Sequence, residues 1–143
     1  MSEIVWDNKF RTGVEPLDIQ RREIFDYMAT IYNELVHHHM KSALFKNPLM
    51  KLHVLCRIHF KKQEDYLETI KHPSGAHHKQ IHELLLGNMG WFITDAKHFN
   101  ALSIQTFFSN VREDIITHFL NEAVTLGSIV NDTSNSERDI SFF

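Results

Sequence analysis

A single cysteine stands among the 143 residues of the chain, so no internal disulfide can hold the fold and burial must do so instead. Cys56 falls on an apolar helical stripe with no base in its pattern, which gives no support to Cys-His chemistry; a Ser-His-Asp arrangement has none either. Apolar runs are short. None approaches the ~20 residues that cross a membrane, and the opening MSEIVWDNKF has neither the basic nor the apolar region of a signal peptide. A net charge of −3 with no basic stripe provides no footprint for nucleic acid. There is no repeat, no low-complexity tract and no haem-attachment motif. A reducing, cytoplasmic setting is the expectation, without nucleic-acid or membrane partners.

What is present is a globular composition, 43% hydrophobic and 23% charged, in a chain long enough to bury one core. Residues 1–143 are therefore read as one domain. Eleven histidines are the compositional oddity.

Gly13 and Pro16 mark residues 1–16 as an irregular arm, with Trp6, Phe10 and Val14 as anchors. From Leu17 the pattern turns helical. Leu17, Arg21, Ile24, Met28, Ile31 and Leu35 recur at spacings of four and three, widened by Phe25 and Tyr32, as on the inward face of a bundle helix. His37, His38 and His39 close that helix and read as solvated groups near its C-terminus. Asn47-Pro48 reads as a cap and first residue of a second helix. Its inward set is Leu52, Cys56, His59, Gln63, Tyr66 and Ile70.

Pro73 and Gly75 break the chain, and Ser74 is a candidate cap for a third helix to about Phe99. His78, His82, Leu85, Met89, Phe92 and Ala96 form its stripe. Gly87 and Gly90 either weaken its middle or admit a neighbouring backbone. Ser103 is a candidate cap for a fourth helix carrying Ile104, Phe108, Val111, Ile115, His118, Phe119 and Glu122 inward, loosened at Gly127. The bundle then spans about 17–130. Beyond it, a tail of about 131–143 is expected to be flexible, with Ile140, Phe142 and Phe143 able to dock on a protein partner or a second copy. Four amphipathic helices with short connections predict an all-α, up-down-up-down four-helix bundle.

Four histidines from three helices, His59, His78, His82 and His118, fall on inward stripes. Singly, each reads as a core histidine bonded to a carbonyl. Together, with Arg21 and Gln63, they make a costly interior, because every buried polar group needs a partner. A metal ion is such a partner. His78 and His82 are four apart, on one helix face with Cβ atoms about 5–6 Å apart, which suits two ligands of one ion.

Over nearly its whole length the chain resembles bacterial hemerythrins. LDIQRREIF (17–25) is similar to the family's IDxQHxxLF, HFKKQE (59–64) to HFxxEE, and Pro73 with His78 and His82 to P-x4-H-x3-H; His118-Phe119 matches the family's HI pair. The resemblance implies a hemerythrin-like bundle, in which five histidines and two bridging carboxylates hold two irons that bind dioxygen. Three altered positions qualify it. Arg21 stands where the first-helix histidine is expected, and Gln63 and Ala123 replace the bridging Glu and Asp.

Neutral Gln63 and apolar Ala123 cannot offset the charge of two ions, and the guanidinium of Arg21 stays charged. Like charges roughly 4 Å apart at intermediate dielectric repel by several kcal/mol. An ordinary diiron centre is therefore disfavoured. The resemblance leaves His78, His82 and His118 as ligands of one divalent ion, with His59 nearby. Such a set suits Fe²⁺ or Zn²⁺, and equally Ni²⁺ or Cu²⁺. Glu122 and Glu64 are substitute carboxylates. Glu122, about 100° round the helix from Ala123, is also the natural salt-bridge partner of an inward Arg21.

The expected function is thus a hemerythrin-like protein binding one metal ion, not an ordinary dioxygen carrier and not an enzyme. No general base offers itself for water activation. Two other readings stand beside it: a metal-free relict bundle serving in structure or protein interaction, and a diiron dioxygen carrier or sensor.

Overall fold

A computed structural model describes residues 3–95 and 100–132. Helices α1 (Glu15–Val36), α2 (Lys46–Thr69), α3 (Gly75–Asp95) and α4 (Ala101–Asp132) form the expected four-helix bundle, and the described residues contain no strand. The tail and its Ile140–Phe143 segment, with Ala96 and Phe99, lie outside the described residues.

The arm is built before the helix begins. A short 3₁₀ turn, Asn8–Phe10, is capped by Asp7, and Phe10 packs against Trp6 and Phe25 at ring separations of 5.8 and 4.6 Å. Asp18 then folds back over the chain. Its carboxylate accepts from Thr12 N at 2.7 Å, the Thr12 hydroxyl at 2.8 Å and Gly13 N at 3.2 Å. With these bonds the helix starts at Glu15 rather than Leu17. Pro16 sits in the first turn, where its missing N–H has no helical partner to lose.

Two further boundaries differ from the sequence pattern, each for a local reason. α2 begins at Lys46, continuing a 3₁₀ turn at Ser42–Leu44 through buried Phe45, and Pro48 lies inside its first turn. Asn100, not Ser103, caps α4: its side-chain oxygen accepts from Ser103 N at 2.9 Å. α4 runs through Gly127 to Asp132, close to the end expected near 130.

One inward assignment is corrected, and one of the two readings of Gly87 and Gly90 is removed. Ile70 is 37% exposed, because α2 ends one residue earlier and the chain turns away. A side chain at Gly87 or Gly90 would meet nothing within 4 Å, so no backbone approaches there.

The remaining stripes are buried as their spacing requires, apart from partly buried Leu85. They divide the interior into three levels. A large apolar core holds Ile24, Met28, Phe45, Leu52, Cys56, Phe92 and Phe108. A small apolar cap holds Val14, Leu17, Tyr66, Leu67 and Leu126. Between them lie Arg21, His59, Gln63, His78, His82, His118 and Glu122, all buried.

Candidate metal centre

Glu122 is the hub of this polar level. Its Oε1 accepts from Arg21 Nη2 at 2.9 Å and lies 2.9 Å from His118 Nε2; its Oε2 lies 3.3 Å from His82 Nε2 and 3.7 Å from His78 Nε2. Helical spacing explains the convergence. His78 and His82 share one face of α3, His118 and Glu122 one face of α4, and Arg21 reaches across from α1.

Arg21 is fully buried, as an inward stripe position requires. Its Nη1 donates to the carbonyls of Phe10 at 3.0 Å and Phe119 at 2.9 Å, and the guanidinium lies 4.5 Å over the Phe119 ring. The arm thus closes directly onto the site. Burial lowers the Arg21 pKa, opposed by Glu122 and Asp18. Burial alone would raise the pKa of Glu122, but the bonds from His118 and His82 and the charge of Arg21 outweigh it and hold the carboxyl well below its usual range. Glu122 is an anion at neutral pH.

The outer nitrogens settle the tautomers. His82 Nδ1 lies 2.8 Å from Glu64 Oε2, and a carboxylate only accepts, so Nδ1 carries the proton. His78 Nδ1 donates to the Ser74 carbonyl at 3.0 Å. Both rings then turn Nε2 toward Glu122 Oε2, where the nitrogen donates if the ring is protonated and offers a lone pair if it is neutral. His82 Nε2 also lies 2.8 Å from His118 Nε2. Burial lowers the pKa of His118 and so favours its neutral ring, against the opposing pull of the Glu122 carboxylate. One Nε2 proton on His118 cannot satisfy both His82 and Glu122.

His82, His118 and Glu122 each offer one ligand atom, all within 4.8 Å of one another, and this group could hold a metal ion. His78 stands at its margin. Phe60 stacks on His82 at 4.1 Å with the rings 2° from parallel, walling the cluster on the α2 side. A carboxylate or carbonyl behind a ligating histidine is the usual support of metal sites, because it fixes the tautomer and raises basicity. Glu64 and Ser74 provide that here.

His59 is held differently. Its Nδ1 lies 3.0 Å from Gln20 Oε1, while its buried Nε2 has no partner, and neither end of the Gln63 amide is bonded. Burial, and then Arg21, push the His59 pKa well below its ordinary value. Ala123 is buried and brings no donor. His37, His38 and His39 are exposed, remote from the cluster. Gln20 and the Ser74 carbonyl were not anticipated as partners. Gln20 borders the α1 stripe and could have been suspected on that ground, whereas a backbone carbonyl leaves no mark in a sequence.

No family model, curated protein or solved structure matches the chain. Fold and site together define a four-helix bundle with a buried His–Glu cluster able to hold a metal ion. No helix among the described residues is long and apolar enough to cross a membrane.

Proposed function

We propose that the bundle is a metal-binding protein of hemerythrin-like descent, holding one divalent ion through His82, His118 and Glu122, with His78 completing the set. The observation that carries this reading is the crowding of three buried imidazole Nε2 atoms on one carboxylate, with Glu64 and Ser74 orienting two of the rings. Two or three imidazoles and a carboxylate fit Zn²⁺ or Fe²⁺. Such an ion, when bound, would supply Lewis acidity and the positive charge that the lone pairs face. Sensing, storage or stabilising the fold are roles consistent with one ion.

The same residues do not fit a second ion. Arg21 places a fixed charge against Glu122, Gln63 is neutral, and Ala123 has no donor. A dioxygen carrier built on two irons is therefore the weakest reading. The metal-free alternative has one observation in its favour: the Arg21–Glu122 pair, at 2.9 Å, already balances the buried carboxylate.

Elemental analysis of the untagged chain, purified without added metal or chelator and repeated after iron loading, separates these readings. One equivalent of metal, lost in His82→Ala, is the expected result. No metal with undiminished thermal stability would establish the metal-free bundle. Two irons per chain would return dioxygen chemistry to the front.

A further inference from the structure

Two surface clefts reach the cluster. One, about 500 Å³, lies at the α2–α3 turn and contains Glu64, the partner of His82, with Lys61, Lys71 and Lys79 beside Asp65 and Glu68 in its walls. The other, about 330 Å³, lies between α3 and α4 and contains His118 itself, with Asp114, Asn88, Asn121 and Thr117 and no lysine or arginine. It shares Asn88 and Asp114 with a neighbouring cleft of about 500 Å³, which adds Glu113.

We propose that the α3–α4 cleft is the way in for the divalent ion, with Asp114 as the capture residue that hands it to His118. The inference rests on the metal-binding reading above. A hydrated cation sheds water readily only where oxygen donors replace it, and Asp114, Asn88, Asn121 and Thr117 supply them along the approach. A cleft lined by one sign of charge concentrates the opposite ion. Burial and the adjacent charge of Glu113 raise the affinity of Asp114 for a proton, and the field of Glu113 favours a cation there as well. By contrast, the α2–α3 cleft mixes lysines with carboxylates and reaches no histidine of the cluster directly; an ion arriving there would have to part Glu64 from His82, a contact of 2.8 Å.

The test is stopped-flow binding of Co²⁺ alone to the metal-free full chain at low ionic strength, read by absorption of the bound ion. Asp114→Asn should slow association about threefold or more and slow dissociation alike, leaving affinity and melting temperature near wild type; salt should shrink the difference. Leu84→Trp, at a cleft residue 67% exposed, should slow both rates by obstruction. Lys79→Gln in the other cleft should leave them unchanged. Wild-type rates in both Asp114→Asn and Leu84→Trp would overturn the proposal, as would faster binding confined to Lys79→Gln. Failure of the wild-type chain to bind Co²⁺ at all would overturn the metal-binding reading itself, a distinct result.

Discussion

Around Phe45, Leu52, Phe92 and Phe108 the bundle interior is apolar apart from Arg112, which lies against Tyr32, whereas nearer the α2–α3 turn the same helix faces carry Arg21, His59, His82 and Glu122. From Phe92 to His82 along α3 is roughly 15 Å. Over that distance the source of stability changes. In the apolar region each side chain contributes through its own burial and loses nothing when a distant residue changes. In the polar level no residue is favourable alone: Arg21 without Glu122, or Glu122 without Arg21 and the imidazoles, is a charge removed from water without its counter-charge. The level is one network.

The comparison is broken most directly at Glu122. Glu122→Ala leaves Arg21 buried and unpaired and should cost about 3–5 kcal/mol in urea unfolding, besides abolishing metal binding. Adding Arg21→Met should recover most of that loss, since the uncompensated charge then goes too. A single-mutant cost no larger than at an exposed position would mean that the pair does not hold the level together.

In the apolar region, Phe92→Ala should cost a similar amount, about 3–5 kcal/mol, through lost burial and a cavity. Here the affinity for metal should stay within error, and a large loss of binding would show that the two regions are coupled. No second substitution there is expected to rescue it as Arg21→Met rescues Glu122→Ala.

Acid separates the regions by titration. Native His59 stays neutral because its pKa lies well below 6.5, while the unfolded chain takes up its proton near 6.5. The unfolded state therefore binds more protons below that pH, and stability falls as pH falls, by up to about 1.4 kcal/mol per pH unit per group. Glu122, with its pKa depressed, adds its own loss only as pH drops below its ordinary value of 4.5. Melting temperatures should decline from pH 7 to 5.5, and His59→Phe should flatten that decline. An unchanged slope in the variant would remove His59 from the account.

The smallest effect on folding belongs to Glu64, 17% exposed at its side chain. Glu64→Ala should weaken metal binding about 10–100-fold by freeing the His82 ring. Glu64→Gln, which keeps an acceptor, should weaken it less. Equal losses in the two would mean that charge, rather than orientation, is what Glu64 supplies.

Much of this was legible beforehand, and the limits are physical. The stripes on α1, α2 and α4 were readable because apolar spacing at 3.6 residues per turn is a local property. The inward Arg21 and Glu122 were readable because they interrupt such stripes, and their pairing follows from the cost of burying either alone. Helix starts were read less well: Asp18 folding back on Thr12, and Phe45 anchoring the turn before α2, are contacts that a cap motif does not encode. Gln63 was legible as inward but not as unbonded, nor His59 as held by Gln20.

By itself the sequence determined the all-helical bundle, its inward faces and the level at which polar residues interrupt them, because helical periodicity and burial are carried by neighbours along the chain. The tertiary structure alone decided which of four inward histidines meet. It put His82 and His118 against Glu122, left His78 at the margin and turned His59 to Gln20, because those distances depend on how helices from different parts of the chain are set against one another.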